Sequence, residues 1–289
     1  MRRPGKFRCA LPRRDEGFFS ARDNTRLYWQ SLLPDENPEA WVGIVHGYGD
    51  HSGRYAHVAE HLVKEGYGTV ALDYRGHGKA DGRRGHCDNW YDFVDDIEVF
   101  WARLRGMAQG KPTFVLAHSH GALVAAHWVL RRRPEGLKGM VLTAPYYALA
   151  LDPPKIKIFA SKVVGLVIPW LKVSSGLKPE MFSHDLAWQK STAEDQLAFQ
   201  IATPRFFVQS TEAQQVLRAR AKELEVPTLM LTGGADPIAS TPTAKAVFET
   251  MGATDKTYKE YPDFLHEVLN ETGREQVLGD ISRWISAHR

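Results

Sequence analysis

Short apolar runs alternate with amphipathic segments along most of this chain. The runs predict strands at 41–45, 67–74, 113–117, 139–144, 227–232 and 256–261. Apolar residues repeated every three or four positions predict helices at 54–65, 91–107, 243–251 and 273–287. A β-hairpin is predicted over 18–33, where Asp23 and Asn24 form the turn. This alternation indicates an α/β architecture, with a mostly parallel central sheet flanked by helices.

The alternation stops between residues 146 and 225, where no strand is predicted. An interval this long without strands indicates a helical insertion rather than a loop. We therefore expect a core formed by 1–145 and 226–289, with 146–225 inserted as a helical cap. Positions 155–171 are unusually apolar, and two interpretations stay open. In the first, which we favour, they pack on the domain and roof a pocket; in the second, part of them is exposed and docks on membranes or micelles; the two are compatible.

Ser119 lies where the predicted strand 113–117 gives way to a run of small, helix-compatible residues. A serine at such a strand-to-helix turn is held by a strained backbone at the top of a sheet. Ala117 and Gly121 are small enough for the strand and the helix to approach closely. The start of the helix directs free N–H groups at any negative charge that develops beside the serine. A small-x-Ser-x-Gly string alone is weak evidence for a catalytic serine. The interpretation therefore depends on whether the chain also supplies a base and an acid for that serine.

Two candidate partners follow Ser119 in the order used by α/β-hydrolases, Asp236 and then His266. A serine hydroxyl needs a base to take its proton and an acid to orient that base. Asp263 is closer to His266 in sequence and is a rival for the acid. We prefer Asp236 because it follows a fully apolar strand, where a sheet delivers catalytic groups, whereas Asp263 fits the turn at Pro262.

The strand at 41–45 ends in a glycine-containing loop that can present backbone N–H groups. We expect the N–H groups of Tyr48 and His120 to form an oxyanion hole for the catalytic serine. Only their backbones are needed for this role, so both side chains are free for another.

Several motifs now occur together in one order. They are HGYGDHSGRY (46–55), DYRGHG (73–78), the Ser119 turn, Asp236 preceded by Gly234 and Ala235, and His266. In this the chain resembles the monoacylglycerol lipase and lysophospholipase branch of the α/β-hydrolase superfamily, over nearly its whole length. It departs from the usual GHSMGG pattern at Ala117, His120 and Ala122. The histidine makes the family's substrate preference less transferable.

The resemblance implies a serine hydrolase that cleaves a monoacylglycerol or a lysophospholipid through an acyl-enzyme, without a cofactor. The head group is expected near His51 and Arg54, and the acyl chain against Phe159, Phe206 and Phe207. A short-chain esterase, a thioesterase or an aminopeptidase of the same fold are alternatives. A non-catalytic ligand-binding protein is an alternative of another class.

Composition narrows these possibilities. A chain of 289 residues with 43% hydrophobic content fits one α/β domain. A net charge of +3 argues against nucleic-acid binding. His57 and His61 would share a helix face, but they lack the His-Glu-x-x-His arrangement, so no metal is predicted.

The two cysteines, Cys9 and Cys87, match no disulfide framework. No apolar signal core follows the basic N-terminus, and no run is long enough to span a membrane. These features indicate a cytoplasmic protein, with peripheral membrane contact through the cap as a further expectation and the oligomeric state left open.

Overall fold

The computed structural model describes residues 13–151, 164–165 and 167–289. Its strands are β1 (Arg13–Ser20), β2 (Arg26–Leu33), β3 (Ala40–Val45), β4 (Tyr67–Asp73), β5 (Thr113–His118), β6 (Leu137–Thr143), β7 (Val173–Ser174), β8 (Ile201–Ala202), β9 (Thr228–Gly233) and β10 (Lys256–Tyr261). Its helices of nine or more residues are α1 (Ala56–Lys64), α2 (Asp92–Ala108), α3 (His120–Arg132), α4 (Leu186–Glu194), α5 (Pro204–Arg220), α6 (Thr241–Thr250) and α7 (Arg274–His288).

Eight of these strands form one sheet in the order β1-β2-β4-β3-β5-β6-β9-β10. The pairs from β4 to β10 are all parallel, and only β2 runs against them, because it pairs antiparallel with both β1 and β4. Because parallel strands end at the same edge, the loops after β3, β5, β9 and β10 meet there. The mostly parallel sheet expected from the sequence is confirmed.

Both faces of the sheet are covered, which is why its central strands are apolar throughout. On one face, α2 and α3 pack through side chains such as Phe100, Leu104 and Trp128. On the other face, α1 and α7 pack through Leu62, Ile281 and other apolar residues. Strands buried on both sides need continuous apolar runs rather than alternation, and those runs made the strands recognisable.

The predicted elements of the core agree with the structure to within two residues, except at the hairpin. There β1 begins at Arg13, whereas the prediction begins at residue 18. Residues 13–16 are exposed on the edge strand, so no apolar pattern marks them as part of a strand.

Residues 146–225 lie between β6 and β9 of the sheet, and their described part includes the helices α4 and α5. That this insertion forms a cap over the core stays a prediction. The expectation that the region lacks strands is wrong, because β7 and β8 pair antiparallel within it. Each has only two residues, too few to produce a recognisable pattern. Helix α5 lies on the core, where His127 of α3 contacts the Ala213 carbonyl oxygen at 2.9 Å.

The apolar segment at 155–171 is described only in part. Where it is described, Val167, Ile168, Trp170 and Leu171 are exposed, and Trp170 is 59% exposed. In the same part of the segment Pro169 is buried, and a side chain at Gly165 would meet Pro204 and Arg205 of α5 at 3.7 Å, so some of the segment packs on the domain and some is exposed. Docking on membranes or micelles stays a prediction. Within the described residues, none of the helices is both long and apolar enough to cross a membrane.

Several histidines are fully buried and therefore neutral. Burial lowers the pKa of His46 and His127 to about 4 and that of His120 to about 3, and it lowers the pKa of His77 well below its usual value. An unfolded chain binds protons at these positions below about pH 6.5, so each histidine favours the unfolded state as the pH falls. Asp96 acts in the opposite direction, since burial raises its pKa to about 6.

We expect the free energy of unfolding to fall between pH 7 and pH 5, and His127→Gln to reduce that fall. A histidine with a pKa of about 4 when folded and about 6.5 when unfolded loses about 2 kcal/mol at pH 5. Urea unfolding at both pH values measures the difference. A variant whose loss equals that of the wild type would contradict the assignment of His127 as buried and neutral.

Candidate active site

The turn after β5 holds Ser119 in a conformation that non-glycine residues rarely adopt. Its φ is 51° and its ψ is −116°, a strained combination that costs on the order of 1–3 kcal/mol. Hydrogen bonds hold it there: the Ser119 N–H donates to the Thr143 carbonyl oxygen at 2.9 Å, and its carbonyl oxygen accepts from Tyr146 at 3.1 Å. A side chain at Gly121 would meet the His46 carbonyl oxygen at 2.3 Å, so only glycine lets α3 start so close to β3.

The structure brings Ser119, His266 and Asp236 into one hydrogen-bonded chain. His266 Nε2 lies 2.8 Å from Ser119 Oγ, and His266 Nδ1 lies 2.7 Å from Asp236 Oδ2. The other Asp236 oxygen accepts the N–H groups of Ile238 and Ala239 at 2.8 and 3.0 Å. All three side chains are buried or nearly so, which holds the chain in one geometry.

The rival acid, Asp263, lies at the exposed turn that precedes His266. It makes no hydrogen bond to the imidazole among the described contacts, because the loop turns its side chain to solvent. Proximity in sequence therefore does not make Asp263 the partner of His266, whose Nδ1 pairs with Asp236.

The two predicted oxyanion donors lie beside the serine. A side chain at Gly47 would meet Ser119 Cβ at 3.4 Å, so the loop after β3 touches the turn. The Tyr48 N–H makes no hydrogen bond within the described part of the chain. His120 is the first residue of α3, where a backbone N–H has no intrahelical partner. Both donors are thus available to a ligand.

The loop that carries Tyr48 is held in place by hydrogen bonds to residues 195–201 of the insertion. The Phe199 N–H donates to the Gly49 carbonyl oxygen at 2.9 Å, and the Tyr48 hydroxyl donates to the Ile201 carbonyl oxygen at 2.8 Å. A side chain at Gly49 would meet the Phe199 oxygen at 2.2 Å, so this contact requires glycine.

A cavity of about 370 Å³ opens from Ser119 and His266. Most of its wall is apolar and comes from the insertion, including Leu177, Phe206 and Phe207. Phe206 and Phe207 therefore line the cavity that opens from the serine, and their contact with an acyl chain stays a prediction. Phe159, the third expected aromatic residue, is outside the described residues.

His51 and Arg54 do not line this cavity. His51 Nε2 contacts Asp195 Oδ2 at 2.8 Å, and His51 Nδ1 accepts the Gly53 N–H at 3.2 Å. Arg54 bonds Asp50 at 2.9 Å and lines a second cleft of about 400 Å³. The two hollows share Tyr48, Phe182 and Glu267 in their walls. A head-group role for His51 and Arg54 stays a prediction.

Sequence reasoning missed one buried charge pair in the wall of the serine cavity. His118 Nε2 lies 3.1 Å from Glu267 Oε1, and both side chains are almost completely buried. Burial alone would lower the pKa of His118, but the Glu267 carboxylate outweighs it and raises that pKa. Burial alone would raise the pKa of Glu267, but His118 lowers it. The only signal in the sequence is that each residue adjoins a member of the hydrogen-bonded chain.

The family described as "Serine aminopeptidase, S33" matches residues 36–273. This chain belongs to that family of hydrolases. A monoacylglycerol lipase of Mycolicibacterium smegmatis is 28% identical over 95% of this chain and 98% of its own length. Phospholipase YtpA of Bacillus subtilis is 28% identical over 84% of this chain and 93% of its own length. A longer relative is covered over only 28% of its length.

Among solved structures, the monoacylglycerol lipase of Paleococcus ferrophilus superposes with a TM-score of 0.80 at 27% identity. The match covers 97% of this chain and 100% of that one. The α/β-hydrolase fold is confirmed, as is the resemblance to the monoacylglycerol lipase branch.

The hydrolase shows no group of three or more metal-ligating side chains within its described residues. His57 Nε2 contacts the Leu269 carbonyl oxygen at 2.8 Å, and His61 Nε2 contacts Ser282 Oγ at 2.7 Å. Each imidazole thus has a separate structural partner. His77 is also buried, with Nδ1 3.0 Å from the Arg75 carbonyl oxygen.

The arrangement can transfer a proton from Ser119 Oγ to His266 and orient the imidazole through Asp236. We expect Asp236→Asn to lower kcat by about 10⁴, because an amide favours the wrong imidazole tautomer. Asp263→Asn is the matched control and should leave kcat unchanged, since its side chain is exposed. Steady-state ester hydrolysis by both variants measures the contrast, and a large loss in the Asp263 variant would reverse the assignment.

Proposed function

We propose that this protein is a serine hydrolase that cleaves the ester bond of monoacylglycerols. The observation that carries the proposal is the hydrogen-bonded chain of Ser119, His266 and Asp236 at one end of an apolar cavity. The names of the Mycolicibacterium and Paleococcus relatives support the substrate class.

In the proposed reaction, Ser119 Oγ attacks the ester carbonyl while His266 takes the hydroxyl proton. Asp236 orients the imidazole and stabilises its charged form. The N–H groups of Tyr48 and His120 hold the oxyanion of the tetrahedral intermediate. His266 then returns the proton to the leaving glycerol oxygen, and water releases the acyl group by the same steps in reverse.

The charges around the second cleft favour a neutral head group. Asp50, Asp195 and Glu267 line it, and Arg54 is the one cation among its described lining residues. Arg54 is already paired with Asp50 and Asp195, so it is not free to bind a phosphodiester, whereas glycerol hydroxyls can donate to carboxylates. This supports a monoacylglycerol over a lysophospholipid, although one relative is named a phospholipase.

An aminopeptidase is the second candidate, because the family description names that activity. Such an enzyme needs a carboxylate near the serine to pair with the substrate's ammonium group. Glu267 is the carboxylate that lines the serine cavity, and it is already engaged by His118 and by Asn270 Nδ2 at 2.8 Å. This engagement and the apolar wall favour the lipid ester.

We also propose that the exposed apolar surface of the insertion contacts lipid. It comprises Val167, Ile168, Trp170, Leu171 and Val173. Val173 also lines the serine cavity, so this surface continues to the cavity mouth. An apolar patch beside a lipid-sized cavity is suited to collecting substrate from a membrane or micelle.

We expect hydrolysis of monoacylglycerols to be fastest at medium or long acyl chains. The apolar wall gains free energy from each methylene that it buries, about 0.8 kcal/mol. Rates are measured from acetate to oleate, with Ser119→Ala as the blank. Lysophosphatidylcholine with the same acyl chain and an amino-acid anilide test the other two candidates, and both should be slower.

Ala202→Phe sharpens this test, because Ala202 lines the cavity and a phenyl ring would occupy part of it. It should reduce the rate on long chains and preserve the rate on short ones. Ala187→Phe, at an exposed position of α4, is the control. A wild-type optimum at acetate or butyrate would make the enzyme a small-ester hydrolase instead.

A further inference from the structure

The side chain of His120 lies in a buried set of polar groups that the reaction as proposed does not use. Trp90 Nε1 lies 3.1 Å from His120 Nε2, and His120 Nδ1 lies 3.2 Å from the Tyr74 hydroxyl. The Tyr74 hydroxyl lies 2.9 Å from the Gly47 carbonyl oxygen. All three side chains are at most 1% exposed.

The directions of these hydrogen bonds follow from one fixed donor. An indole N–H can only donate, so His120 Nε2 must accept from Trp90. A neutral imidazole that accepts at Nε2 carries its proton at Nδ1, and it therefore donates to the Tyr74 oxygen. The Tyr74 proton is then left for the Gly47 carbonyl. Burial, which lowers the pKa of His120 to about 3, keeps the imidazole neutral.

This series of hydrogen bonds ends at the peptide between Gly47 and Tyr48. That peptide carries the first oxyanion donor, the Tyr48 N–H. The Gly47 carbonyl and the Tyr48 N–H belong to one planar trans peptide, so they point in opposite directions. Holding the carbonyl therefore aims the N–H. The carbonyl oxygen also lies 2.7 Å from His46 Nδ1, which supplies a second anchor.

We propose that the side chains of Trp90, His120 and Tyr74 position the Tyr48 N–H for oxyanion binding. His120 then serves both halves of the hole: its own N–H is one donor, and its imidazole orients the other through Tyr74. Tyr74 and His120 act as positioning residues through their side chains, because neither side chain reaches the ester. This inference rests on the proposed ester hydrolysis.

The test measures kcat and KM for three variants: Tyr74→Phe, His120→Met and the two substitutions combined. These values are compared with those of a control variant, Tyr147→Phe. Tyr147 is the matched control because its hydroxyl is equally buried and has no hydrogen-bond partner among the described residues. We expect Tyr74→Phe to lower kcat about 10- to 100-fold with KM unchanged. This is less than the 10²–10³ lost when a donor is removed, since His46 still holds the carbonyl.

Two further readouts separate positioning from general damage to the fold. The affinity for a trifluoromethyl ketone, whose adduct with Ser119 carries an oxyanion, should fall by the same factor as kcat/KM. The kcat of the double variant should be no lower than that of the less active single variant, because the two side chains act through one series of hydrogen bonds. Unchanged kcat in Tyr74→Phe, or losses that multiply in the double variant, would overturn the proposal.

The nitrogen NMR signals of His120 test the inference even if no ester is hydrolysed. We expect a neutral imidazole with its proton on Nδ1 between pH 5 and pH 8, identified by the signal lost in His120→Met. A proton on Nε2 would refute the series of bonds itself. An inactive wild type that fluorophosphonates do not label at Ser119 would refute the proposed function instead.

Discussion

The strained backbone at Ser119 is the constraint on which the site depends. A positive φ at a serine is unfavourable, and it persists only because β5, β6 and α3 hold both sides of the turn. The same turn directs the hydroxyl toward His266 and leaves the His120 N–H free. The apolar core that packs on the sheet therefore stabilises Ser119 in a backbone conformation that the isolated chain would avoid.

The interior around this turn is polar but almost uncharged. His46, His77 and His120 are buried and neutral, and aromatic rings surround them: the rings of His46 and Tyr74 stack at 4.1 Å. Neutral imidazoles can fix the direction of a hydrogen bond without the desolvation penalty of an ion. The charged pair of His118 and Glu267 is the exception: the ring centre of His118 lies 5.1 Å from that of His266, the imidazole that becomes charged in the proposed reaction.

Most of the core could be predicted because its strands are buried on both faces and its helices on one. The order of Ser119, Asp236 and His266 was likewise readable, since chain order and strand ends carry that information. The contacts of Arg54 and His51 with Asp195 could not be predicted, because no spacing links residues more than 140 positions apart. The same holds for Trp90, His120 and Tyr74, which come from three separate segments. The two-residue strands β7 and β8 are too short for any periodicity.

The contact between Gly49 and Phe199 has a consequence for how such enzymes diversify. Exchanging the insertion is an obvious way to alter which substrates fit, since it supplies most of the cavity wall. In this protein, however, residues 195–201 of the insertion also hold the loop that carries the Tyr48 N–H. A transplanted insertion would have to reproduce that edge as well as a suitable wall. The insertion therefore affects both which substrate fits and how the oxyanion is held. Residues 195–201 should accordingly tolerate fewer substitutions than the rest of the insertion.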